Sequence, residues 1–448
     1  LNKKKATYLA TAFLILLIFY FLPLPAGLNY EGKMMLGILV FGAFLFISEA
    51  LPLGMAGLLV MALPPIIGIF TPQEVFGFFG NEAVFFLIGA FMLAAGVQKS
   101  GLHKRVAQYI LKAFGKSSKL YILGILVLAA SLSFIISEHA VVALLLPIIG
   151  FSLINVKKGS NLGKAEMIAL TYGATSGSVA TLMGGARNPY TVAYLAENYG
   201  IHLSFSDWII MALPVTLIMV PVLWTLIITI HKPEEFSVPS MEKMGKIDSK
   251  EWIVIGVLTL TFIILFTVRT WGIAVAVIIG AVLLFVFNIL NWKDIEKSMP
   301  WGIILLYGGA MTLGKGLQVT GASQWLANTI VGIIGTNPYV ILLILLVITV
   351  LMTEIMSHAA AVALMLPIAS SMASVTGMSI LVMDMAVALA GGFGYALLMG
   401  TPGNIMTYST GYFKQKDIMK TGVLADIIGI CVVFLMATVL WPLMGVAR

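Results

Sequence analysis

Four short clusters set ionisable or hydrogen-bonding side chains beside helix breakers in otherwise apolar sequence. They are Ser137-Glu138-His139, Gly184-Gly185-Ala186-Arg187-Asn188-Pro189, Ser357-His358-Ala359 and Gly400-Thr401-Pro402-Gly403-Asn404. A helix that starts at such a break offers free N–H groups and a favourable field to an anion. Ser137, Ser357, Thr401, Asn188 and Asn404 add neutral donors, and Arg187 adds a fixed positive charge. This is the chemistry of anion binding rather than bond making. The chain has no H-E-x-x-H, no G-x-S-x-G and no G-x-x-x-x-G-K-[ST], so no enzyme, catalytic residue, bound metal or cofactor is expected. An ionisable group at the centre of a bilayer costs about 2.5–3.5 kcal/mol or more. Glu138, His139, Arg187 and His358 therefore call for a reason. Arg187 is expected to meet an anion, a salt bridge to Glu138 or both. His139 reads equally as a structural histidine, His358 as functional, and Ser137 and Ser357 as helix caps that also reach a ligand. Glu354 reads as orienting the second tip or as an interfacial acid. Asp384 is expected at a helix end near the outer surface, and His103, His202 and His231 at water interfaces.

These clusters need a membrane to hold them. Of 448 residues, 60% are hydrophobic and 10% charged, against roughly 45–50% and about 25% in soluble proteins. That excludes a soluble enzyme, a nucleic-acid binder and a disordered chain. The composition and the long apolar runs predict an all-α integral membrane protein. The net charge of +7 is expected to set topology, and the single Cys431 excludes an internal disulfide. Spans are read at 7–22, 34–48, 51–70, 82–98, 207–230, 252–268, 272–290, 302–317 and 422–445. With the N-terminus cytoplasmic, the basic residues of 99–164, 232–250, 293–297 and 414–420 fall inside, and only Lys33, Arg269, Lys315 and Arg448 fall outside. That sorting requires 119–155 and 338–372 to be re-entrant hairpins, giving about eleven crossings. The chain divides into an N-terminal helix (1–30), a first unit (31–231), a cytoplasmic linker (232–251) and a second unit (252–448). The first unit holds scaffold helices, an interfacial helix (101–114), a hairpin (119–155), a broken helix (166–197) and a last helix (207–230). The second holds scaffold helices, a hairpin (338–372), a broken helix (383–413) and a last helix (422–445).

The two units are copies. Ser137 to Ile148 and Ser357 to Ile368 share Ser, Ala, Val, Ala, Leu, Leu, Pro and Ile in register. The same offset aligns Gly89-Ala90, Gly96, Gln98 and Gly101 with Gly309-Ala310, Gly316, Gln318 and Gly321. Met183-Gly184, Asn188 and Thr191 match Met399-Gly400, Asn404 and Thr407. Five crossings per copy make the repeats inverted, the architecture of secondary transporters that bind substrate near the midplane at broken helices.

At these residues the chain resembles the divalent anion/sodium symporter family, which carries di- and tricarboxylates. The resemblance implies a homodimer through scaffold domains, with a mobile domain that moves like an elevator in the cell membrane. It also implies tips that contact substrate carboxylates of the succinate, malate, fumarate, 2-oxoglutarate and citrate class. The partners implied are these substrates, membrane lipid and a second copy. In that family the Asn of a Ser-Asn-Thr tip helps to surround sodium. Here Glu138 and His358 replace both Asn, and Arg187 enters the first loop. Arg187 and His358 are accordingly expected to stand in for bound cations, and sodium-independent obligatory exchange is expected. The alternatives are a sodium- or proton-coupled symporter with Glu138 and His139 as a proton relay, or an anion channel.

Overall fold

Apolar runs become helices in the computed structural model, which describes residues 3–154, 156–235 and 245–446. Asn155 of the first hairpin, 236–244 of the linker and the last two residues lie outside the described residues. Among those described there is no strand. Eight helices are long and apolar enough to cross a bilayer, from Lys3–Phe21 to Gln415–Leu443. Shorter apolar helices, such as Leu53–Ile66 and Gly272–Val286, complete the set. The span read at 51–70 stops at Ile66, after Pro64 and Pro65, and that read at 272–290 stops at Val286.

The repeat is visible element by element. Tyr30–Ser48, Leu53–Ile66, Pro72–Phe79, Glu82–Ser100, Leu102–Ala113, Ser118–Leu132, Glu138–Ser152 and Asn161–Gly177 form the first series. Ser249–Thr267, Gly272–Val286, Trp292–Ser298, Trp301–Val319, Ala322–Ile334, Pro338–Ile355, His358–Thr376 and Ile380–Ala390 form the second. Each helix of the second series starts at the position that the tip alignment of Ser137 with Ser357 assigns it, or one position earlier. Even caps recur. Thr71 with Glu74 and Asn291 with Asp294 form capping boxes on Pro72–Phe79 and Trp292–Ser298, two short helices that apolar periodicity did not reveal.

The repeats interlock. Leu53–Ile66 packs on Trp301–Val319, and its counterpart Gly272–Val286 packs on Glu82–Ser100. Without a hydrophobic drive between helices in lipid, such contacts need small residues that let backbones approach. A Cβ on Gly57 would stand 2.7 Å from the Leu306 Cα, and one on Gly309 would strike the Gly57 backbone. In the mirrored pair a Cβ on Gly89 would stand 2.9 Å from the Val277 carbonyl carbon.

Ser118–Leu132 and Glu138–Ser152 form the first hairpin, and Pro338–Ile355 and His358–Thr376 the second. Each packs on the broken helix of its own repeat, Asn161–Gly177 or Ile380–Ala390. The second halves of the broken helices cross over. Arg187–Tyr199 packs on the second hairpin, and Pro402–Ser409 on the first. The visible ends of the linker strap the first repeat. Glu234 accepts the Asn161 and Leu162 amides at 3.1 and 2.6 Å, and Arg105 binds Glu251 at 2.7 Å.

Three expectations fail. Asp384 is fully buried and accepts the Ser370 hydroxyl at 2.5 Å, so it marks no outer helix end. Its repeat counterpart, Glu166, accepts Ser152 at 2.6 Å and is equally buried. His103 and His231 face protein rather than water, and His231 Nε2 lies 2.7 Å from the Thr421 hydroxyl. Ser370, Ser152 and Thr421 partner Asp384, Glu166 and His231, and the Val97 carbonyl faces His103; linear spacing does not display such partners.

The interlock makes a testable demand. Gly57→Val or Gly309→Val should destabilise the protein by about 1–3 kcal/mol, whereas Gly256→Ala, where a Cβ meets open space, should be nearly neutral. Thermal unfolding in detergent measures this, and equal effects at both sites would contradict it.

Candidate functional site

Each break leaves carbonyls and amides without helical partners, and each is closed by side chains. In the first, the Asn188 amide donates to the carbonyls of Ser178 and Thr181 at 2.8 and 2.6 Å. In the second, the Asn404 amide donates to those of Gly394 and Leu397 at 3.1 and 2.9 Å. Ser178, Thr181 and Asn188 fall on Gly394, Leu397 and Asn404 in the same register that pairs Met183 with Met399. Hairpin and break are also tied to each other. Thr181 donates to the Phe134 carbonyl and Thr353 to that of Phe393, both at 2.5 Å. A buried backbone group without a partner costs about 1–3 kcal/mol, so these side chains make the non-helical segments possible at membrane depth.

The two breaks differ in their acids. Glu354 accepts the amides of Ala396 and Leu397 at 2.7 and 2.6 Å, and Asp426 accepts that of Tyr395 at 3.3 Å. Glu354 therefore orients the second break. The first break instead has Trp208 donating to the Val179 carbonyl at 3.0 Å and Thr216 to that of Ser176 at 2.7 Å.

The hairpin tips meet at Glu138 and His358, whose Oε1 and Nδ1 are 3.3 Å apart. The Ser178 hydroxyl lies 2.8 Å from the other oxygen of Glu138 and accepts from Arg187 Nη2 at 2.8 Å. Arg187 Nη1 is 3.5 Å from His358 Nδ1. Among the described residues Arg187 has no direct ion pair with Glu138; Ser178 bridges them. The guanidinium fills space that only glycine leaves free. A Cβ on Gly185 would stand 2.8 Å from Nη1, and one on Gly392 2.6 Å from Nη2. Arg187 Nε, His358 Nε2 and Asn188 Oδ1 are buried without a protein hydrogen-bond partner. His139 Nε2 lies 3.3 Å from the Ser137 hydroxyl.

The remaining expected residues differ in burial. Arg187, Asn188, His358, Thr401 and Asn404 are buried, while Ser137, Glu138, His139 and Ala359 are half-buried. Ser357 and Pro402 are exposed. Ser357 caps its helix at the Ala360 amide and Thr401 caps at the Asn404 amide, whereas Ser137 makes no such bond. Helices begin at Glu138, Arg187, His358 and Pro402. The arrangement can hold an anion against one guanidinium, an imidazole and helix N-termini. Ser178, Gly392, Asp426 and Tyr307 were missed in the sequence. Tyr307 donates to the Ala186 carbonyl from a scaffold helix. Ser178 had one available signal, its alignment with Gly394 in the register that pairs Asn188 with Asn404.

Comparisons with known proteins agree with the all-helical membrane fold. The chain is 27% identical to the sodium-dependent dicarboxylate transporter SdcS of Staphylococcus saprophyticus, over 93% of this chain and 88% of that protein. It is 26% identical to the SdcS of a Staphylococcus aureus strain, over 96% and 89%. The crystal structure of the Alcanivorax borkumensis YdaH transporter shares the fold, with a TM-score of 0.60 at 13% identity, over 94% of this chain and 99% of that one. The family model described as the sodium:sulfate symporter transmembrane region matches residues 3–447, and this multi-pass membrane protein belongs to that family.

Proposed function

We propose that this chain carries dicarboxylates across a membrane in symport with protons. The observation that carries the reading is the junction of the two tips, where Arg187, Glu138 and His358 form one linked cluster. Arg187 holds one substrate carboxylate through its charge-assisted donors. Ser357, Thr401 and the helix starts at His358 and Pro402 are placed for the other. The named relatives carry dicarboxylates, which fits a site with one fixed cation and several neutral donors.

Charge decides the coupling. Obligatory exchange would require a fixed positive centre that the empty carrier could not take through the membrane. Glu138 faces Arg187 through Ser178, so the empty site carries little net charge, which favours symport. A dianion entering the neutral cluster leaves two negative charges, and protons on Glu138 and His358 balance them. A sodium ion at the first break would meet the same guanidinium as a proton on His358 and would also need a coordination shell, whereas protons use side chains already in place. The relatives named above are sodium-dependent, so the coupling ion is where this chain is read as departing from them.

The same reading assigns the motion. Hairpins and broken helices form a moving unit, and the interlocked helices with the N-terminal helix form a scaffold through which two copies pair. The N-terminus is cytoplasmic. Bonds between the units hold the present position. Tyr190 donates to the Ala310 carbonyl at 3.2 Å, Gln318 to that of Asn198 at 3.0 Å, and Asn81 binds Glu197.

Proteoliposomes free of internal dicarboxylate should accumulate labelled succinate when the outside is acidic, without sodium. Uptake that requires external sodium or internal dicarboxylate would overturn the coupling. Arg187→Ala should weaken succinate binding at least tenfold, about 1.4 kcal/mol, as read by calorimetry; unchanged affinity would remove Arg187 from the site. Glu138→Gln mimics the protonated acid. It should bind succinate at neutral pH at least as tightly as the native protein, yet lose part of the gain from an acidic outside. A native response to the pH gradient would exclude Glu138 as a proton carrier.

A further inference from the structure

Two buried acids serve the second break and take no part in the charge account above. Glu354 ends the first arm of the second hairpin, and Asp426 lies in Gln415–Leu435; they are 5% and 6% exposed. They bind three consecutive amides, Asp426 that of Tyr395 and Glu354 those of Ala396 and Leu397. Because the amides they accept belong to adjacent residues, the two carboxyl groups are brought side by side. Carboxylates only accept, so two of them in contact attract only with a proton between them. Among the described residues no Lys, Arg or His is ion-paired with either acid.

The surrounding groups do not supply that positive charge. Tyr172, from the first broken helix, donates to the carbonyls of Tyr395 and Ile418 at 2.8 and 3.0 Å. Tyr395 belongs to the break itself. His358, from the second hairpin tip, is turned toward Glu138. On the helix that carries Asp426, Asp417 pairs with Lys164 at 3.0 Å. The repeat counterpart of Glu354 is Phe134, so the first break has no such pair.

We propose that Glu354 and Asp426 are a proton-binding site that holds one proton between them, and that this proton is a further coupled cation of the carrier, beyond those on Glu138 and His358. The inference rests on the carrier reading above. With the proton in place, the pair fixes amides 395–397 and so the loop that presents Thr401 and Asn404. When the proton leaves to water, two like charges face each other in a buried site. The acids separate, and the loop loses the acceptors that shape it.

The test is succinate affinity and melting temperature across pH, in detergent, for the native protein, Asp426→Asn and Glu354→Gln. The folded form holds the proton, so native stability and affinity should fall as pH rises, by up to tenfold in affinity per pH unit for each proton bound with substrate. An amide at position 426 donates where the proton stood, so Asp426→Asn should lower that slope by one proton and remove the alkaline loss of stability. Glu354→Gln is the reciprocal variant and decides the matter if Asp426→Asn is not recovered folded. A flat native profile, or an unchanged slope in the recovered variants, overturns the inference. Failure of every dicarboxylate to bind at any pH overturns the carrier reading instead; the pair is then judged by melting temperature alone.

Discussion

A backbone that leaves the helix inside a bilayer must find its hydrogen bonds from side chains, because lipid offers none. That constraint organises the centre of this protein. Asn188 and Asn404 close the two breaks in the same way, at matching positions of the two repeats, each with one amide across two carbonyls. Thr181, Thr353, Trp208 and Glu354 supply the rest. Once the breaks are stable, helix starts from both repeats converge, and the hairpin tips have something to meet. The Gly57, Gly309 and Gly89 contacts serve the same end farther out. They lock the repeats together so that the breaks stay in register.

The second governing fact is electrical. One guanidinium lies buried between two glycines, with a carboxylate reached through a hydroxyl. Removing one partner of such a buried pair is far more costly than having neither. Arg187 and Glu138 thus make a unit whose balance a dicarboxylate bound as proposed would disturb. The donors of the arginine are not exhausted, since Nε remains without a protein acceptor. The site can therefore accept an anion without first dismantling itself. The tie to Ser178 sits in the broken helix rather than in either hairpin, so both tips are referenced to one fixed point.

Much of this was legible in the sequence because membranes restrict the alphabet. Charge is scarce, so Arg187, Glu138 and His358 stood out, and the internal repeat paired the tips before any coordinates. The same register in fact runs through eight pairs of helices. What was hidden followed physical reasons. Asp384 looked peripheral because nothing in linear spacing reveals that Ser370 of the second hairpin meets it on the broken helix. Ser178 is a small hydroxyl in a run of Ser, Thr and Gly, and its importance arises only from where the fold puts Glu138 and Arg187. The short helices Pro72–Phe79 and Trp292–Ser298 depend on their caps more than on apolar periodicity. Asp426 lies within an apolar span, and only the fold brings it to the break that Glu354 serves.

The most direct measurement of the central claim is an experimental structure of the protein in lipid nanodiscs with saturating succinate at acidic pH. The account predicts one succinate carboxylate on the Arg187 guanidinium and the other among Ser357, Thr401 and the adjoining helix starts, with no cation at the first break. Succinate bound away from Arg187, or a sodium ion coordinated by the carbonyls of the first break, would contradict it.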